Sequence, residues 1–183
     1  MEKLSKKEKS RRKIMHEAKR LFEEYGIDGI TFNQIAQEAD VCRTTVFNHF
    51  SSSRDLMLAI TTQEIDEIKE FCEEKQYIGK ERIYALFDKL IEDTVYYPML
   101  ATRLVNNAVL NHDDNNPIKI VEGIIIEGLI EAGSSKEESQ DIAILIEGAY
   151  FGLINHYHIN NKQFDAKTMK KDLHRLLGIL IGK

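Results

Sequence analysis

The sequence predicts an all-α fold of about nine helices. Three observations carry that prediction. Apolar residues recur at three- and four-residue spacing along most of the chain, and no segment reads convincingly as a strand. Prolines number only two, aromatic residues make up 8% of the chain, and Ile, Leu, Glu and Lys are plentiful. The helical stretches are punctuated by start and stop residues such as Gly26, Thr31, Pro98, Gly133, Ser135 and Asp165.

A chain of 183 residues, 43% of them hydrophobic, is one large domain or two small ones and can bury a core. No apolar run is long enough to span a bilayer. The opening MEKLSKKEKSRRK is charged and lacks the apolar centre of a signal peptide, so a cytoplasmic location is expected. Cys42 and Cys72 are too few for a disulfide framework and read as two reduced thiols. The net charge of −5 is unevenly spread. Residues 1–20 carry nine Lys/Arg against three acids, whereas residues 61–183 carry fourteen against twenty-one. A local basic patch at one end, rather than a basic whole, is what contact with phosphates requires.

Residues 1–9 read as a flexible basic arm. With Arg11, Arg12 and Lys13 it could follow DNA phosphates or enter a minor groove. The first helix is expected from Ser10 to Tyr25, burying Ile14, Ala18, Leu21, Phe22 and Tyr25 and ending at Gly26. Thr31 is a suitable N-cap for a second helix, in which Phe32, Ile35, Ala36 and Ala39 share one face. Asp40 and Val41 make a turn. A third helix of about two turns follows, with Val46 and Phe50 pointing one way and Arg43, Thr44, Thr45 and Asn48 elsewhere. So little apolar surface cannot hold that helix alone. Its neighbours must brace it, which leaves a polar face free. This is the logic of a helix-turn-helix, whose second helix enters the DNA major groove.

The remaining helices follow in order. Arg54–Glu74 is long enough, at roughly 30 Å, to join two parts of the molecule. Lys80–Tyr96 carries Ile83, Leu86, Phe87, Leu90 and Ile91. Pro98 suits a first turn, and its helix is expected to reach Asn111. The segment HDDNNP is a loop, and Ile118–Glu131 ends at Gly133. Ser135 and Glu138 form a capping box for a helix to His158, and Asp165 caps the last, to Ile181.

The segment Thr31, Ile35-Ala36, Ala39, Val41, Thr45, His49-Phe50, Leu56 resembles the TetR family of bacterial transcription regulators. That resemblance implies an N-terminal three-helix helix-turn-helix DNA-binding domain (1–53, with its basic arm). A long helix would join it to a C-terminal helical ligand-binding and dimerisation domain (54–183). Several residues depart from the family pattern. Asp40 stands where a turn glycine is usual, Cys42 where a hydroxyl N-cap is usual, and Phe47 replaces a tyrosine. Ser53 replaces a lysine, with Arg54 beside it.

Arginine is the side chain best shaped to contact guanine O6 and N7 together, which makes Arg43 the sharpest candidate for base contact. Thr44 and Phe47 can reach a thymine methyl. By position, the resemblance adds Asn33 as a base contact. It assigns Thr31, Thr45, Asn48, His49 and Arg54, beside Arg11 and Arg12 of the arm, to phosphates. The expected partner is double-stranded DNA with a palindromic operator.

Gly148 and Gly152, four apart, leave a bare helix face beside Ile144. With Leu173, Leu176, Leu177 and Leu180 they make a candidate homodimer interface, and the family likewise implies dimers. A pocket for an unknown small-molecule effector is expected among Phe87, Tyr96, Tyr97, Leu100, Arg103, Asn107, Phe151, Asn155 and His158, a mainly apolar set with a few polar groups. No metal site or cofactor is expected. His156 and His158 lie about 200° apart around a helix, and His112, Asp113 and Asp114 read as solvated. No catalytic motif is present, so nothing suggests an enzyme. The sequence therefore reads as a ligand-released repressor. The alternative is a helical interaction protein that binds a protein partner through its C-terminal domain, with DNA as an anchor.

Overall fold

A computed structural model describes residues 5–109 and 116–182, with side chains described at 5–103 and 116–182. Among the described residues there are nine α-helices and no strand. They are α1 (Lys6–Tyr25), α2 (Phe32–Glu38), α3 (Arg43–His49), α4 (Ser53–Glu74), α5 (Gly79–Tyr96), α6 (Pro98–Val109), α7 (Pro117–Glu131), α8 (Lys136–Ile159) and α9 (Ala166–Ile181). A 3-10 turn, Ile27–Gly29, follows α1. The chain divides into two compact units: the described residues through Glu64 together with Tyr97–Asn106, and the remainder.

The first unit has its own core. Ile14, Ala18 and Phe22 of α1 pack with Ile35 and Ala36 of α2, Val46 of α3, Phe50, and Leu56 and Ile60 of α4. The helix α1 begins earlier than expected, which corrects the reading of residues 6–9 as a flexible arm. Ser5 accepts a bond from the Glu8 amide at 3.1 Å, and Glu8 pairs with Arg12 one turn on at 3.2 Å. A cap and an i,i+4 pair suffice to extend a charged helix by a turn. Tyr25 was expected in the buried stripe but is 59% exposed. It lies in the last turn before Gly26, whose φ of 75° lets the chain leave the helix axis there.

The turn between α2 and α3 holds Asp40 at φ 49°, a left-handed conformation that a side chain normally resists. The Asp40 amide donates to the Gln37 carbonyl and the Val41 amide to the Ala36 carbonyl, so the turn closes without a glycine. Asp40→Gly should raise the urea midpoint, by roughly 0.5 kcal/mol. Asp40→Val should lower it by about 1 kcal/mol, because a β-branched residue is poorly tolerated at positive φ. Equal midpoints for the three proteins would show that the turn stores no strain.

The segment 97–106 belongs to this unit. Leu100 is 2% exposed and joins the core. The Met99 and Leu100 amides, in the first turn of α6, donate to the Glu23 carboxylate at 3.1 and 2.8 Å. A carboxylate is the favoured acceptor for such orphan amides. Arg103 of α6 reaches Asp28 at 3.8 Å.

In the second unit α5 packs on α7 and α9, and α8 packs on α7 and α9, closing a ring of four helices. Phe87, Ile91, Ile125, Ile146, Leu153, Leu173 and Leu177 fill it, and Ile68 and Cys72 of α4 join them. Where α5 meets α7, a Cβ at Gly128 would lie 2.8 Å from the Gly79 carbonyl oxygen, so only glycine allows that approach. Thr94 and Tyr150 satisfy one another through a buried 2.7 Å hydrogen bond, and burial pushes the Tyr150 phenol up to about 12. Glu147 of α8 is half-buried, and its Oε1 is enclosed with no hydrogen-bond partner among the described residues. Burial, with Glu122 of α7 as a second cause, pushes its carboxyl up to about 7.

Candidate nucleic-acid interface

The second helix starts from a capping box. The Thr31 hydroxyl accepts from the Gln34 amide and the Gln34 side chain accepts from the Thr31 amide at 2.9 Å. This fixes Asn33, exposed in the first turn of α2. The third helix starts at Cys42, whose side chain makes no cap bond to the backbone. Its Sγ instead lies 3.1 Å from the Thr44 hydroxyl and 2.9 Å from that of Thr45. These hydroxyls, Thr44 first, bring the Cys42 thiol down to about 7. Cys72 is buried, and desolvation pushes its thiol up. Iodoacetamide should therefore label Cys42 in the native protein with a midpoint near pH 7, while Cys72 stays unlabelled until the protein unfolds. Equal labelling of both thiols would contradict this.

Val46 plants α3 in the core, and Phe50 closes it at 1% exposure. His49 is tied back: its Nε2 lies 2.8 Å from the Ser10 hydroxyl of α1. Burial, then Arg11 and Lys7, lower the His49 pKa and favour the neutral ring. Arg11 lies over the Phe50 ring at 4.5 Å and donates to the His49 carbonyl. Arg43 lies over the Phe47 ring at 5.1 Å, and Phe32 meets that ring edge-on at 5.0 Å. Asn48 and Arg54 are exposed.

A concavity of about 330 Å³ opens between these elements. It brings together Thr31, Asn33, Arg43 and Phe47, four of the residues expected to touch DNA. Ser51, Ser52 and Ser53 line it as well, and sequence reasoning missed them. The available signal was three consecutive hydroxyls at a helix start, a common anion-facing arrangement. Thr44, Thr45, Asn48, His49, Arg54, Arg11 and Arg12 lie outside its lining. The arginines also divide by their partners. Arg12, Arg20, Arg82, Arg103 and Arg175 sit beside carboxylates. Among the described residues Arg11, Arg43 and Arg54 have no carboxylate within 4 Å, and all three lie in the first unit.

Residues 14–60, from α1 into α4, match the family model described as bacterial regulatory proteins, tetR family. The helix-turn-helix segment is of the TetR type. The HTH-type transcriptional repressor AcnR of Corynebacterium glutamicum is 26% identical over 104 residues, 57% of this chain and 52% of the relative. AcnR of Corynebacterium efficiens is 27% identical over the same shares. The chain thus spans about half the length of the curated relatives it matches. The fold likeness extends further. A transcriptional regulator from Aquifex aeolicus superposes with a TM-score of 0.72 at 18% identity, covering 93% of this chain and 98% of the other. A TetR regulator from Legionella pneumophila gives 0.68 at 22% identity, covering 98% and 100%.

The other residues expected from the sequence are placed as follows. In the second unit Phe87 is buried against Tyr150, Tyr96 and Asn155 are exposed, and Phe151 is half-buried. His158 stacks near Phe164 at 4.7 Å. Tyr97, Leu100 and Arg103 lie in the first unit. The Asn107 side chain lies outside the described residues, as do His112, Asp113 and Asp114. Ile144, Gly148 and Gly152 form an exposed strip of α8 where an added Cβ at either glycine meets nothing within 4 Å. On α9, Leu176 and Leu180 are half-buried, whereas Leu173 and Leu177 are enclosed in their own chain's core and leave no surface to a partner. Their four-residue spacing suits either use, and α5 and α8 have taken it. Leu145, Ile159 and Ile179 are exposed apolar residues not expected from the sequence. No helix among the described residues is long and apolar enough to cross a membrane.

Proposed function

We propose that the chain is a ligand-responsive transcription regulator, a repressor in the cytoplasm. Residues 1–53 bind a palindromic operator in double-stranded DNA as part of a homodimer. Residues 54–183 provide dimerisation and hold a small-molecule effector that releases the DNA. One observation carries the DNA reading: the arginines without a carboxylate partner among the described residues all lie in the helix-turn-helix unit, and one of them, Arg43, opens the exposed face of α3. A cation kept free of carboxylates is available to nucleic acid.

The repressor sense is supported by the likeness to the transcriptional repressor AcnR. The dimer reading is supported by the exposed strip of Ile144, Gly148 and Gly152, with Leu145 beside it, because a helix bare at two glycines admits another helix closely. In that arrangement Leu176, Ile179 and Leu180 are the share of α9 left to the partner. The effector acts by binding one spacing of the two recognition helices better than the other.

The test is selection of fragments from the protein's own genomic DNA at about 0.15 M salt. A palindrome should be enriched, and its neighbouring genes would point to the class of effector. Uniform weak binding that disappears with salt would leave only non-specific phosphate contact and would refute the regulator reading.

A further inference from the structure

We propose that Phe47 is a positioning residue for sequence readout: its ring fixes the Arg43 guanidinium, and Phe47 does not itself read a base. The inference rests on the reading that α3 enters the DNA groove. Phe47 is 46% exposed, an unusual setting for a phenylalanine within a seven-residue helix. Its surroundings explain it. Phe32 is 9% exposed and anchored in the core of the first unit, and it meets the Phe47 ring at 5.0 Å with an interplanar angle of 61°. On the same ring lies the guanidinium carbon of Arg43 at 5.1 Å. Core, ring and cation form a continuous line from Phe32 through Phe47 to Arg43.

Arg43 has little else to hold it. No carboxylate lies within ion-pair distance among the described residues. The neighbouring hydroxyls of Thr44 and Thr45 are turned to the Cys42 sulfur. A free arginine loses much rotamer entropy when it is ordered on a base edge. Contact through the guanidinium face removes part of that loss in advance and leaves the in-plane N–H groups free for O6 and N7 of guanine. Residues four apart on a helix share a side, so the sequence already permits this contact.

The experiment is selection from randomised duplexes with the intact chain, comparing wild type, Arg43→Ala, Phe47→Leu, Phe47→Met and Phe47→Tyr. The operator position that loses its guanine preference in Arg43→Ala defines the Arg43 contact. At that position Phe47→Leu and Phe47→Met should weaken the guanine preference about two- to fivefold, the range of an exposed cation–π contact. Phe47→Tyr, which keeps the ring face, should retain it. The double variant Arg43→Ala/Phe47→Leu should match Arg43→Ala there, and non-specific affinity should not change. A purely structural role would lower all binding together. The proposal is overturned if the ringless variants keep the guanine preference, if they lose a thymine preference elsewhere instead, or if Phe47→Tyr behaves as they do. If wild type selects no sequence at all, the regulator reading fails and this inference with it. If wild type selects and Arg43→Ala alone alters the choice, only this inference fails.

Discussion

Arg43→Ala should cost the protein its choice of DNA sequence while sparing its general hold on DNA. One bidentate arginine–guanine contact discriminates by about 1–3 kcal/mol. A two-fold complex loses two such contacts, so affinity for the selected palindrome should fall by at least about 30-fold relative to random duplex. The slope of affinity against salt should be nearly unchanged, because that slope counts phosphate contacts. Arg11→Ala and Arg54→Ala should do the reverse, lowering affinity for all sequences alike and reducing the slope. Stability should not move in Arg43→Ala, since the side chain is exposed and pairs with no carboxylate among the described residues. A variant that still enriches the same palindrome would remove Arg43 from the readout.

Stability should decline as the pH rises from 5 to 8, and Glu147→Gln should remove most of that decline. The Glu147 carboxyl is held up near 7, first by burial and then by Glu122. Its ordinary value is about 4.3, so the folded chain keeps a proton there that the unfolded chain releases. The protonated form is favoured in the fold. Its contribution is complete below the unfolded value and is lost as pH rises through about 7. The full shift would correspond to roughly 3 kcal/mol. Partial solvent contact reduces the expected loss to about 1–2 kcal/mol. Glutamine mimics the neutral acid, so Glu147→Gln should match wild type at pH 5 and exceed it at pH 8. Glu122→Gln should steepen nothing and shift the wild-type midpoint downward, because one source of repulsion has gone. Urea unfolding across this range tests both. A flat wild-type profile would mean that the enclosed oxygen has found a partner.

Much of the fold was legible because local chemistry and global packing agree. Thr31, Ser135 and Asp165 cap the helices they were expected to cap, and Pro98 opens α6. The buried face of α2 and the inward Val46 follow from spacing alone. Other features depend on information that spacing does not hold. Lys6–Lys9 look disordered by charge, yet Ser5 and Glu8 recruit them into α1. Leu173 and Leu177 carry the same pattern whether a helix faces its own chain or another, and only the ring of α5, α7, α8 and α9 decides between them. At the candidate interface, residue type and motif singled out Thr31, Asn33 and Arg43, and the fold brings all three to one concavity. The stacking of Arg43 on Phe47 was not legible in the sequence, because it requires Phe32 to stand behind the ring. The expected effector residues are the least legible: Leu100 and Arg103 read as pocket lining, but their contacts are with the core and Asp28 of the first unit.

Those contacts make the N-terminal unit discontinuous in the gene. Glu23 holds the first turn of α6, and Leu100 completes a core otherwise built from residues before 64. The chain leaves this unit within α4, after Glu64, and returns to it at Tyr97, some thirty residues later. A fragment ending at residue 53 or 64 would therefore carry an open apolar slot and an idle carboxylate. Transplanting this helix-turn-helix unit onto another protein would require moving two separate stretches of sequence together, not one contiguous cassette.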